Sequence, residues 1–347
     1  MTNRVHGLVG FPGTNISASF REIRVPLASA LNRVAEVYAR LTEGACRPQA
    51  EALRFDASGD PRALDRYFPI TRFLSDELPA FDALLGEVAQ HPHFDVRLFG
   101  EGRADLSSEL PRSARYLVAG HIAETFFYRR DILARFFAAP RHFHLYTTAR
   151  AYQQDGGNAG GQYHSEREAV QLVLARLFEG FDGPTPGVAT PGVAPFLHEF
   201  GHMLDFFDPA SGGLRRGSDG LLPGLRPSDG DLFRPRARAA FLEGKRLELH
   251  RYRVRYNRLD TRDPLPIGHP YVFQNDAEFC AGYFEMFFRN PHYLAEQNPD
   301  LFHAYVELFG YDTRRGWERD FDFYINANRE FYLSGQQPWP PGITTPG

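Results

Sequence analysis

Along the first part of the chain, apolar residues recur at the three-to-four-residue interval of a helix lying on a core. In residues 20–41 they fall at Val25, Leu27, Leu31, Val34, Val37 and Leu41, predicting an amphipathic helix. Comparable patterns predict helices over residues 78–89 and 115–137, joined by loops that carry Asp, Gly and Pro. The first 140 residues are therefore expected to be mostly helical.

The texture changes at Arg141. Residues 142–146 and 169–174 concentrate β-branched, aromatic and leucine side chains over strand length, which predicts a small sheet. QDGGNAGGQ between them is expected to be a flexible turn or loop, and the 169–174 strand an exposed edge able to pair with an extended peptide. DGPTPGVATPGVAP follows and repeats TPGVA twice, too few copies for a repeat fold. It reads as a surface loop whose functional version would be a gate, because it leads into the next helix.

That helix is PFLHEFGHMLDFFD, with Pro195 in its first turn and an apolar face of Phe196, Phe200, Met203 and Phe207. Gly201 interrupts it at a cost of about 1 kcal/mol relative to alanine, which predicts close approach of another element. A later helix is predicted within HPYVFQNDAEFCAGYFEMFFRNP, capped by Asn275 and stopped by Asn290 and Pro291. Glu278, Gly282 and Glu285 share one of its faces, and Gly282 is the expected approach point to Gly201. Beyond Asp312, Trp317, Phe321, Phe323, Tyr324, Phe331 and Tyr332 predict a last helix, and SGQQPWPPGITTPG a loose tail.

Composition narrows the class. The 347 residues are 43% hydrophobic and 14% aromatic, enough for one large core or two modest domains. A net charge of -4 and a pI near 6.4 give no global reason to expect nucleic acid or an anionic membrane as partner. No eighteen apolar residues run together, and the N-terminal apolar patch is broken by Gly and Pro, so neither a span nor a signal peptide is expected and a cytoplasmic location follows. Cys46 and Cys280 match no disulfide or thiolate pattern. Lys245 is the single lysine in a chain with 39 lysines and arginines together. Arg234, Arg236, Arg238, Arg246, Arg251, Arg253, Arg255 and Arg258 alternate with Glu243, Glu248 and Asp260, the pattern of a solvated face rather than a nucleic-acid surface. The pairs His91 with His93 and His142 with His144 lack a third metal ligand.

The strongest chemical signal is the HExxH of the 195–207 helix. At 3.6 residues per turn, His198 and His202 stand on one face and can reach one zinc ion, while Glu199 lies beside them as a candidate base. Asp205 shares the face of His198 and is a candidate acceptor for the second N–H of a ligand imidazole. A catalytic zinc needs a third protein ligand. A third histidine would have to stand at position 208, where this chain has Asp208. Spacing leaves Glu278 and Glu285 as rival ligands, with a capping box from Asn275 to Glu278 as the non-metal reading.

LHEFGHMLD, the helical insert RARAAFLEGKRLELHRYRVRY, and HPYVFQNDAEFCAGYFEMFFRNPHYLAEQNPDLFHAYVELFGYD together resemble the MtfA (Mlc titration factor) peptidase family. More distantly they resemble the catalytic domains of anthrax lethal factor and the Pro-Pro endopeptidases. The resemblance implies an α+β, zincin-like metallopeptidase domain over residues 141–312, with a small sheet and an HExxH active-site helix. A mostly helical region 1–140 of unknown role would precede it, and a C-terminal helix and tail, 313–347, would follow. It implies Glu278 as third ligand, Tyr271 as the tyrosine that stabilises the transition state, and one Zn2+ per chain. Gly201 stands where that family commonly has alanine. The implied activity is hydrolysis of a peptide or protein substrate by a zinc-activated water, with Glu199 as general base. The alternative is a catalytically weak zinc-binding protein that sequesters a regulatory protein partner.

Overall fold

The computed structural model describes residues 68–344 except 111, 158–160, 179–193, 258–263, 318–319 and 321. The helix expected over residues 20–41 and the TPGVA loop lie outside the described residues. Within them the fold is α+β, helices packed around a four-stranded sheet, with a two-stranded ribbon of Phe207–Asp208 and Gly213–Leu214 beside it.

Phe94, Val96 and Leu98 point inward while Asp95 and Arg97 point out, the period-two alternation of a strand, β1 (Phe94–Phe99). This strand falls in the region expected to be helical; its six residues sit between longer helical patterns that mask them. It runs parallel to β2 (Arg141–Tyr146), with Phe94 opposite Arg141 and Phe99 opposite Tyr146. Next come β3 (Gly161–His164) and β4 (Ala169–Val173), a hairpin whose second strand pairs parallel with β2, giving the order β1-β2-β4-β3. The expected edge is thereby corrected. Every residue of β4 is buried between two neighbours, as a run without alternation requires, and the edges are β1 and β3. β3 begins inside the stretch expected to be a loop, at Gly161 and Gln162.

The helices α1 (Leu78–Gln90), α2 (Arg112–Phe126) and α3 (Arg130–Phe136) occupy the predicted regions, with a break before Arg130. α4 (Ala149–Gln154), capped by Thr148, covers the C-terminal ends of the strands on the outer face. The HEFGH segment forms α5 (Pro195–Phe206), and the arginine-rich insert forms α6 (Pro235–Tyr256). Asn275 accepts from the Glu278 amide at 2.9 Å to cap α7 (Asp276–Arg289). α8 (Pro291–Gln297), α9 (Pro299–Phe309) and α10 (Asp322–Leu333) complete the chain.

Phe196, Phe200 and Met203 of α5, with Phe207 just past its end, are buried with Phe143, Leu145, Val170 and Leu172 of the sheet in one continuous apolar cluster. Among the described residues that cluster runs from Phe68 to Ile343. The arginine face is also less solvated than expected: Arg251 is buried and pairs with buried Glu248 at 2.7 Å, and Lys245 is buried beside them on α6. The tail is held rather than loose, with the Gly342 amide on the Phe273 carbonyl at 2.9 Å and Ile343 buried. No helix among the described residues is long and apolar enough to cross a membrane.

Candidate metal centre

α5 and α7 lie face to face, and glycine decides how closely. A Cβ at Gly201 would stand 3.0 Å from the Ala281 Cα and 3.1 Å from the Phe284 ring, so any larger residue forces the helices apart. The partner of Gly201 is therefore Ala281 rather than the expected Gly282, whose own open face receives Val272.

This contact brings the candidate ligands together. Glu278 Oε2 lies 3.1 Å from His198 Nε2 and 3.3 Å from His202 Nε2. Two donors each about 2.0–2.1 Å from a tetrahedral zinc stand roughly 3.3–3.4 Å apart, close to both approaches of Glu278 to the histidines. The three donor atoms all lie within 4.8 Å of one another. Two imidazoles and one carboxylate are the donor set of an open, catalytic site rather than a closed structural one. The residues present fit the metal. The His142 and His144 pair does not form such a group: His142 Nδ1 is 2.8 Å from Asp95 Oδ2, an ordinary cross-strand pair.

The rival ligand has another place. Glu285 Oε1 accepts from the Ala194 amide at 2.5 Å, and Oε2 lies 3.4 Å from His198 Nδ1, on the far side of the ring from Glu278. Glu285 thus caps the start of α5, which has no side-chain cap of its own, and fixes the orientation of its first histidine. Asp205, expected in that role, is elsewhere. It is fully buried at the other end of α5, accepting from Ser218 Oγ and from the Leu221 amide at 3.1 Å. The capping reading of Glu278 also fails on its carboxylate side, because its two oxygens face the histidines and Tyr271.

Glu199 is nearly inaccessible, and its Oε2 accepts from the Tyr163 amide of β3 at 2.7 Å. Burial raises its pKa, and the neighbouring His198 and His202 temper the rise. Tyr271 donates to Glu278 Oε1 at 2.8 Å; burial, then the charges of Glu278 and Glu199, keep its phenol protonated far above neutrality. Burial opposes charge on both members of the His198–Glu278 pair. The hydrogen bonds of Glu278 and Glu285 nonetheless hold the His198 pKa well up, and the His202 charge leads in holding that of Glu278 down. Behind them Arg289, fully buried, balances Glu124 and Glu285; burial lowers its pKa to about 10 and raises that of Glu124 to about 7.

The structure brings together the five residues expected from the sequence, His198, Glu199, His202, Tyr271 and Glu278, and adds two supports beside them. The Tyr163 amide leaves no side-chain signal, and Arg289 none beyond its place one turn past Glu285. Glu285, the rival ligand on the same face of the helix, contacts the other ring nitrogen of His198. The chain matches no family model, no curated protein and no solved structure.

Proposed function

We propose that the chain is a zinc-dependent peptidase of the zincin type, akin to the MtfA peptidases, with His198, His202 and Glu278 as metal ligands. The observation that carries this reading is the convergence of three donor atoms, with Glu278 3.1 and 3.3 Å from the two histidines and Glu199 one position round the helix. A bound zinc ion lowers the pKa of water toward about 7 and polarises a carbonyl.

Glu199 then takes the proton of the attacking water and carries it to the leaving amine. Its burial suits this task, since a carboxylate raised toward neutrality both accepts and returns a proton at working pH. Tyr271, held protonated, turns its hydroxyl from Glu278 to the carbonyl oxygen as negative charge develops there. Glu278 loses a hydrogen bond at that moment, while Glu285 continues to fix His198. An extended peptide is expected to lie along the open edge of β3, where the Tyr163 amide already faces Glu199.

The test is hydrolysis of a mixed peptide library by the wild type, with and without a chelator, and by Glu199→Gln. Chelator-sensitive cleavage in the wild type, absent from a zinc-loaded Glu199→Gln, is the expected result. Cleavage persisting in Glu199→Gln would sink the base assignment. Bound zinc without cleavage of any peptide would move the chain to the sequestering role.

A further inference from the structure

The one lysine of the chain is spent in a buried position. Lys245 is 3% exposed, and its Nζ meets Asp276 Oδ1 at 2.7 Å above the ring of Phe279, whose centroid is 5.4 Å away. Asp276 opens α7, where a carboxylate is favoured by the helix N-terminus, and stands two residues before Glu278. Its remaining capacity is taken by the C-terminal segment: the Thr344 amide donates to Oδ1 at 2.9 Å and Thr344 Oγ1 donates to Oδ2 at 2.6 Å.

The same segment grips the turn that carries Tyr271. The Gly342 amide donates to the Phe273 carbonyl at 2.9 Å, and Gly342 has no room for a side chain because a Cβ would run into the Gln274 carbonyl. One step earlier, the Trp339 carbonyl accepts from Tyr252 at 2.8 Å, and Tyr252 stacks on Phe273 with centroids 4.1 Å apart. A guanidinium in place of the ammonium would need a longer, planar space, and the site is closed by Asp276 on one side and Phe279 on the other.

We infer that residues 339–344 form a clasp, locked by Lys245 and Asp276, that positions the third metal ligand and Tyr271, so that metal retention depends on the docked tail. This rests on the zinc reading above and adds Lys245, Asp276 and Thr344 to it as positioning residues. The clasp touches neither metal nor substrate; it fixes the start of the helix from which Glu278 projects. Glu278 Oε2 has to stay within a few tenths of an ångström of its place to complete a tetrahedral site, so a small shift of that start is felt as lost affinity.

The experiment compares wild type, Thr344→Val, Thr344→Ser and a chain ending at Gln337. Zinc affinity is read by chelator competition, with far-UV circular dichroism of the metal-free proteins as the control for folding. Zinc affinity should fall about tenfold in Thr344→Val and further in the shortened chain, and Thr344→Ser should restore it because the hydroxyl donor is kept. Lys245→Arg should weaken zinc although the charge is retained. Undiminished affinity in a folded Thr344→Val and in the shortened chain would overturn the clasp alone. A wild type that binds no zinc would overturn the metal reading, and the clasp with it.

Discussion

The two ends of α5 each gather carboxylates and solve the problem of their charge in opposite ways. At the C-terminal end Asp205 and Asp219 are met by arginines. Arg215 and Arg226 each bond Asp219, with closest approaches of 2.5 and 2.9 Å, and both donate to the Asp205 carbonyl, at 2.7 and 2.6 Å. At the other end Glu199, Glu278 and Glu285 take their hydrogen bonds from backbone amides, a phenol and two imidazoles. The first arrangement is complete as it stands. In the second, imidazoles balance the carboxylates only by holding protons, and a divalent cation would replace those protons with a fixed charge. A helix clamped at one end by satisfied ion pairs can hold an unsatisfied set of donors in place at the other.

The comparison can be broken most severely at the chemical step. Glu199→Gln should lower peptide hydrolysis by about 10²–10⁴-fold while zinc content is unchanged, measured by steady-state kinetics beside elemental analysis. At the clamped end, Asp205→Ala strips the Ser218 hydroxyl and the Leu221 amide of their buried acceptor, removes a carboxylate 3.7 and 3.6 Å from Arg215 and Arg226, and should cost roughly 3–5 kcal/mol in urea unfolding. An effect below about 1 kcal/mol there would show that the arginines are hydrated and the clamp idle.

Between these lies the support for His198. Glu285→Gln should weaken zinc by about 10–100-fold, since the amide no longer fixes the imidazole as a carboxylate does. A change of similar size tests the charge balance behind His198 and Glu285. Glu124 has its folded pKa raised to about 7 by burial, above the ordinary carboxylate value of 4.5. The folded state therefore binds more protons than the unfolded one between those values, and this contribution to stability is full below pH 4.5 and lost as pH rises through 7. Glu124→Gln should remove a fall of about 3 kcal/mol across that window, read from unfolding at a series of pH values. Smallest of all, Arg246→Ala breaks an exposed pair with Glu243 at 2.7 Å and should change stability by less than about 0.5 kcal/mol.

Legibility followed the same division. α5 and α7 were readable because each advertises itself by apolar periodicity, a start signal and a stop, and because His198 and His202 must share a face. β1 was hidden, since three inward residues in six are too short a pattern beside α1 and α2. The strand order, which makes β3 rather than β4 an edge, depends on pairings far apart in sequence that no local pattern encodes. The carboxylate that meets the second nitrogen of His198 is Glu285 and not Asp205 for a related reason. Both sit at helix-compatible spacing from a histidine, and only the packing of α7 on α5 decides which carboxylate reaches a ring nitrogen. The tail gave a loop-like composition, yet its backbone bonds and the Thr344 hydroxyl tie it to α7.

The most direct test is elemental analysis for zinc on purified wild type and Glu278→Ala, with affinity read by chelator competition. One zinc per wild-type chain, lost or weakened by at least about a hundredfold in Glu278→Ala, is the outcome this account predicts. Wild type without zinc, or full zinc retained in Glu278→Ala, would contradict it.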